Sequence, residues 1–342
     1  VSGSARQPED TVELVVPREA QGIRLDRFVA ASVDASRSEL ARWIEAGQVT
    51  VDGAVRDPSA RLRPGQRVCV RRQPQPATRA EADPTVRFAV LYVDDDVVVV
   101  DKPPGLVVHP ARGHADGTLV NGLLGLGLFR MEAWGRAGSE GAPDRDESHL
   151  RPGIVHRLDR GTSGVMVVAR HPAAREALKT QFQEHSIERA YEAIVAGEAC
   201  ERVIATLHGR HPHDRMRFTT RVATGKRAVT RVSVLARLEG ATHVVCRLET
   251  GRTHQIRVHM AEGGTPVVGD PLYGSALQAA RVREVGAALG HQALHARVLA
   301  FDHPRTRVRV RFESPPPEDF ARALDALAKA PDAPAPAAPP SR

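Results

Sequence analysis

The sequence predicts an α+β protein built as two domains, and three observations carry that reading. The stretch "RQPQPATRAEADPT" (Arg72 to Thr85) is punctuated by prolines, holds almost no large apolar residue, and divides a short N-terminal part from a long C-terminal one. In the long part, apolar runs are joined by tight-turn signals, as in "AVLYVDDDVVVVDK". Segments with helical spacing lie among these runs, without the regular alternation of a βαβ array. At 342 residues the chain is long enough for two domains with a sizeable core.

In chain order, residues 1–21 begin with the polar "VSGSARQPED" and are expected to be a flexible N-terminus without a secretory signal. Residues 22–72 form a small module. Ser36 and Glu39 read as a capping box opening a helix that carries Leu40, Trp43 and Ile44, and Gly47 stops it. "QVTVDG" and "QRVCVRR" read as strands, the first ending in the tight-turn pair Asp52-Gly53. Arg24, Arg27, Arg37 and Arg42 fall around the helical part and predict a basic face. After a linker over 73–85, residues 86–325 form the large domain, and 326–342 are a Pro/Ala-rich tail expected to be disordered. Within the large domain, Asp94-Asp95-Asp96 is a hairpin turn and Pro172 starts a helix with Ala174, Leu178 and Phe182 on one face. "RAYEAIVAG", "TRVSVLARL" and "THVVCRLETG" are strands, and the polar stretch 132–149 is a long loop.

Composition narrows the function classes. Hydrophobic residues at 42% and charged residues at 26% are ordinary for a globular protein, and no run of about 18 apolar residues predicts a membrane span. Three scattered cysteines without a CxxC fit reduced thiols in a cytoplasm, and a monomer is the default. The formal net charge of +7 permits an anionic partner such as nucleic acid. His208, His211 and His213 lie close together without cysteine or spaced carboxylate partners, and no HExxH occurs, so no metal site is predicted. Neither a P-loop nor a GxGxxG after a strand is present, and no cofactor is expected.

Two windows could carry chemistry. In "IVHRLDRGTSG", Asp159 sits on a loop between two apolar strand runs, flanked by Arg157 and Arg160. Alone, this pattern describes a structural ion pair as well as a reacting carboxylate. In "LETGRTHQIRVHMAEGG", Thr253 is expected to cap a helix closed by Gly263-Gly264, with Ile256 and Met260 facing the core and Arg257 in the first turn. Arg257 is either a solvated cation or a buried guanidinium paired with a carboxylate. Tyr191, in "ERAYEAIVAG", fits core packing.

Together these windows resemble a family. "DKPPGLVVHP", "RPGIVHRLDRGTSGVMVVAR", "ERAYEAIVAG" and "LETGRTHQIRVHMAEGGTPVVGDPLYG" occur in the order seen in the RluA-type pseudouridine synthases, in particular the D-type branch that modifies the ribosomal large subunit. Residues 22–72 resemble an S4 domain, a compact RNA-binding module. The resemblance implies a mixed, largely antiparallel sheet with flanking helices, and an enzyme that isomerises uridine to pseudouridine in RNA without a cofactor. Its implied substrate is 23S ribosomal RNA of the large subunit. Asp159 matches the family's catalytic aspartate, Arg257 the arginine that pairs with it, and Tyr191 the tyrosine that packs on the target base. Arg157 matches the arginine that fills the gap left by a flipped nucleotide. Arg24, Arg37 and Arg42 would meet phosphates. Arg189 stands where many relatives carry lysine. The rival reading is an inactive RNA-binding ribosome-assembly factor, which would need neither Asp159 nor Tyr191. Glycoside hydrolysis would need two opposed carboxylates, and the two most specific blocks, HRLD and GRTHQIR, together hold one acidic residue, Asp159.

Overall fold

The computed structural model describes residues 10–33, 40, 43–44, 47–72, 80–110, 116–128, 153–274 and 279–328. These divide into two compact units, one up to residue 79 and one from residue 80.

The first unit is an antiparallel sheet with strand order β1-β4-β2-β3, formed by Asp10–Val15 (β1), Val49–Val51 (β2), Ala54–Val55 (β3) and Arg67–Arg72 (β4). Helix α1 (Leu25–Ser32) packs Leu25 and Val29 against Leu40, Ile44, Val49, Val68 and Val70. The turn between β2 and β3 puts Asp52 at φ 52° and Gly53 at φ 80°, the pair of positive angles that a two-residue hairpin needs. β1 corrects the expectation of a flexible 1–21 segment. Val12 and Leu14 pack on the unit's core and Val16 is buried, a period-two pattern that pairs β1 with β4 along its whole length. Leu40, Trp43 and Ile44 are helical, whereas Ser36, Arg37, Glu39 and Arg42 lie outside the described residues. Arg24 is exposed and donates from Nε and Nη2 to both carboxylate oxygens of Asp26, at 3.1 and 2.8 Å.

The second unit is one ten-stranded sheet among the described residues. Its order is β10-β9-β11-β12-β8-β13-β7-β6-β5, with β14 also on β13. The strands are Ala89–Val93 (β5), Val97–Lys102 (β6), Ser163–Ala169 (β7), Glu188–Ala196 (β8), Arg202–Arg210 (β9), Phe218–Thr219 (β10), Lys226–Arg237 (β11), Ala241–Leu248 (β12), Leu294–Asp302 (β13) and Arg309–Glu313 (β14). Every pair is antiparallel except β7 with β13, as the mixed, largely antiparallel expectation required.

The valine runs of β6 and β7 are buried on both faces, which is why they do not alternate with polar residues. Val98, Val100, Met166 and Val168 face helix α2 (Leu119–Gly125). Val97, Val99, Val165 and Val167 face helix α3 (Pro172–Gln183), with Ala174, Leu178 and Phe182 packed against them. A third cluster joins β8 and β12 to helices α4 (Gln255–Glu262), α5 (Ala280–Leu289) and α6 (Glu318–Ala326).

Two boundaries shift. Residues 80–85, assigned to the linker, pack on α2: Ala80 is buried, Asp83 N–H donates to the Asn121 carbonyl and Asn121 Nδ2 donates to the Glu81 carbonyl. At the other end Leu327, assigned to the tail, is fully buried in the third cluster, and its carbonyl accepts from Glu239 N–H. Low apolar content concealed the first contact, and the Ala/Pro composition just beyond concealed the second. No described helix is long and apolar enough to cross a membrane.

Candidate active site

The loop carrying Asp159 is pinned on both sides. Ile154 bridges to Val168, and half-buried His156 accepts the Val167 N–H at Nε2 while stacking on Phe182 at 4.7 Å. Burial pushes this imidazole down to about 3, so it packs as a neutral ring. Leu158 is buried, and the Asp159 carbonyl accepts from Thr162 N–H in the turn that follows. Immediately beyond, Gly164 has φ 113°, and a β-carbon there would lie 2.2 Å from the Ala296 carbonyl oxygen. Only glycine lets β7 approach β13 this closely, and that junction sets where the loop ends.

Arg160 closes the loop's far side. Its carbonyl accepts from Gly105 N–H and from Lys102 Nζ, and its Nε donates back to the Gly105 carbonyl. Lys102 is fully buried, with Nζ also donating to the carbonyls of Pro103 and Leu106 at 2.9 Å. Burial pushes its ammonium down to about 7, against the pull of Asp159 and Asp101. An unfolded lysine titrates near 10.5, so between pH 7 and 10.5 the unfolded chain binds more protons than the folded one. This group therefore makes stability rise with pH across that window, by up to about 1.4 kcal/mol per pH unit. Lys102→Met is expected to remove that rise, which unfolding by denaturant at pH 7.5 and 9.5 would detect.

Helix α4 supplies the cation. Its N-terminal residue is not capped by Thr253 as expected: the Thr253 carbonyl accepts from His208 Nε2, and His254 takes the cap position in a left-handed conformation at φ 58°. Ile256 and Met260 face the core as predicted, and Arg257 points into the same interior from the first turn. Arg257 Nη1 donates to Asp159 Oδ2 at 2.8 Å. Its Nε and Nη2 make a fork to Asp270, at 2.7 Å to Oδ2 and 2.9 Å to Oδ1. The Asp270 side chain is wholly buried, and its Oδ1 also accepts from the backbone N–H groups of Leu272 and Tyr273. Burial works to lower the Arg257 pKa, but the hydrogen bonds and charges of Asp270 and Asp159 outweigh it and hold the guanidinium above its ordinary value. Burial likewise works against the Asp270 carboxylate, and Arg257 pulls its pKa below the usual range. One arginine thus joins two carboxylates, one sealed in the interior and one facing an open cavity.

That cavity is lined by Asp159, Arg257, Tyr191, Arg157, His254 and Leu294, among others. Three sequence-predicted residues, Asp159, Tyr191 and Arg257, come together from a loop, strand β8 and helix α4, and exposed Arg157 stands at the same opening. Burial pushes the Tyr191 hydroxyl up, so it is a neutral phenol. Arg24 belongs to the other unit, and Arg37 and Arg42 lie outside the described residues. Sequence reading missed Asp270, His254, Tyr273 and Lys102. All four sit inside the quoted motifs, but their partners are set by folding.

Away from this cavity, Asp94, Asp96 and His303 bring one ligand-type atom each within 4.8 Å. Their atoms are already committed: Asp94 to His303 and Tyr92, Asp96 to His171 and Arg305.

Comparison with known proteins gives the chain's family. The profile described as RNA pseudouridylate synthase matches residues 96–262, and the S4 domain profile matches residues 23–68. The chain is 40% identical over 329 residues to the ribosomal large subunit pseudouridine synthase D of Neisseria meningitidis serogroup B, covering 95% of this chain and 84% of that one. It is 42% identical over 338 residues to the protein of the same name from Xanthomonas campestris pv. campestris, covering 96% of each. Among solved structures, human RNA Pseudouridylate Synthase Domain Containing 1 shares the fold, with TM-score 0.51 and 24% identity over 69% of this chain and 86% of that one. With identity of this depth across nearly its whole length, the chain belongs to the RNA pseudouridylate synthase family and carries an S4 domain ahead of the catalytic fold.

Proposed function

We propose that this protein isomerises specific uridines to pseudouridine in ribosomal RNA of the large subunit, with Asp159 as the reacting carboxylate. The observation that carries the reading is the bridge from cavity-facing Asp159 through Arg257 to sealed Asp270. A carboxylate held this way can attack C1′ of the target nucleotide or remove its C2′ proton. Either course breaks the N1–C1′ bond and ends with a new C5–C1′ bond, N1 gaining a proton and C5 losing one. Atoms are conserved within the nucleotide, so the chemistry asks for no cofactor.

Tyr191 packs on the detached base and takes part in removing the C5 proton. Arg157, exposed at the cavity mouth, fills the space a flipped nucleotide leaves in the RNA. The S4 domain, with Arg24, Arg37 and Arg42, contributes sequence-independent phosphate contacts, in keeping with the net charge of +7. Arg24 would have to exchange Asp26 for phosphate to do so. The relatives' names support large-subunit RNA as substrate and, with it, action in the cytoplasm. An inactive assembly factor is disfavoured because nothing in RNA binding alone explains the buried bridge behind Asp159.

Pseudouridine mapping of large-subunit RNA from cells with and without this gene tests the reading. Loss of defined sites, restored by the wild-type gene, is expected. An unchanged map would overturn the assignment.

A further inference from the structure

The two oxygens of Asp159 are not equivalent. Oδ2 accepts from Arg257 at 2.8 Å, while Oδ1 faces Nε2 of His254 at 3.7 Å. His254 turns toward the cavity from a left-handed backbone position, φ 58° and ψ 19°, that few residues other than glycine adopt, histidine being among the commoner exceptions. A side chain aimed at the reacting group from such a position is a reason to ask what its ring does.

The hydrogen bonds decide the ring's proton. Nδ1 of His254 is 2.9 Å from the Tyr273 hydroxyl, and that hydroxyl lies 2.8 Å from the Phe218 N–H. An amide N–H can only donate, so it occupies the phenol oxygen's accepting direction. Among the described contacts Nδ1 is the acceptor within reach of the phenol's own proton, and this arrangement gives that proton to Nδ1. The proton of a neutral imidazole is left on Nε2, facing Asp159. Burial lowers the pKa of His254; Asp159 and Asp270 pull it up, Arg257 and Arg157 pull it down, and the net shift favours the neutral ring. Tyr273 is itself fixed: its N–H donates to Asp270, and its ring lies 5.1 Å from the Arg257 guanidinium carbon and 5.2 Å from that of Arg217. The turn that holds Arg257 through Asp270 therefore also sets His254 through Tyr273.

We propose that His254 is a positioning residue: Tyr273 holds it as the Nε2–H tautomer, and that neutral donor orients Oδ1 of Asp159 while Arg257 holds Oδ2. The proposal rests on Asp159 being the reacting carboxylate. Oδ1 is then the reacting oxygen, because Oδ2 is committed to a cation. A neutral donor suits this place. It directs the oxygen without the charge that would blunt its reactivity, and it releases the oxygen as that oxygen attacks C1′ or takes the C2′ proton.

The test uses the full chain, uniformly labelled with ¹⁵N, and long-range ¹H–¹⁵N spectra of its imidazoles, with His254 assigned by its loss in His254→Gln. Near pH 7 the wild-type spectrum is expected to show unprotonated Nδ1 and protonated Nε2, and Tyr273→Phe is expected to mix the tautomers. In single-turnover assays, His254→Leu should slow pseudouridine formation about ten- to hundredfold, the worth of a hydrogen bond to a charged group once the 3.7 Å contact shortens with substrate bound, with little change in RNA affinity. His254→Gln, which retains an N–H near the Nε2 position, should recover most of the rate. A protonated Nδ1 in the wild type, or a His254→Leu rate equal to wild type, would overturn the proposal. If the wild type forms no pseudouridine at all, the reading of Asp159 fails, and the spectrum still decides the tautomer.

Discussion

Asp159→Asn is expected to abolish uridine isomerisation, by roughly 10⁴-fold or more, while leaving RNA affinity and thermal stability nearly unchanged. The amide has the carboxylate's shape and its oxygen can still accept from Arg257, so the bridge to Asp270 survives in outline. What is lost is the negative oxygen, and with it both available routes to N1–C1′ cleavage. Single-turnover conversion, equilibrium RNA binding and a melting curve on the same preparation separate these effects. A variant that keeps a tenth of wild-type rate would mean that Asp159 is structural, the ion-pair reading its local sequence also allows.

Arg257→Met is expected to remove activity and to destabilise the fold together. Asp270 is wholly buried, and the substitution would leave its carboxylate with the backbone N–H groups of Leu272 and Tyr273 but no cation. Removing one partner of a buried ion pair typically costs about 3–5 kcal/mol, because the other charge is left uncompensated. Arg257→Lys keeps a charge but not the planar fork, and one ammonium cannot reproduce the paired contacts to Asp270 together with the contact to Asp159. It is expected to fall between wild type and Arg257→Met in stability. Adding Asp270→Leu to Arg257→Met removes the stranded charge, and should recover a large share of the stability but none of the activity. Denaturant unfolding and single-turnover rates on the three variants distinguish the roles. Restored activity in the double variant would mean that Arg257 serves only to neutralise Asp270.

Much of this arrangement was legible from local pattern, and the remainder depends on contacts that no local pattern encodes. The Asp159 loop, the Tyr191 strand and the Arg257 helix each have the spacing and punctuation of their element, and each forms where expected. β1 was also within reach, since Val12, Leu14 and Val16 alternate in the manner of a half-buried strand; the polar residues before them obscured it. The helix cap at Thr253 failed because propensity was overridden by tertiary contacts: His208 claims the Thr253 carbonyl, and Tyr273 draws the His254 ring toward itself. Asp270 could not be assigned its part from sequence. An aspartate before proline in "VVGDPLYG" suggests a turn, and only the folded position of Arg257 reveals it as the sealed end of an ion-pair bridge. Lys102 reads as a charged residue after a strand, yet it is fully buried because three carbonyls converge on it.

The most direct measurement is tritium release from large-subunit RNA labelled at uridine C5, made in cells lacking this gene and treated with the purified chain. Isomerisation replaces the C5–H bond with C5–C1′, so each event sends one labelled hydrogen to water. Release by the wild type in step with pseudouridine formation, and none by Asp159→Asn, is the predicted result. Release at the wild-type rate by Asp159→Asn would contradict the assignment of Asp159 as the reacting carboxylate.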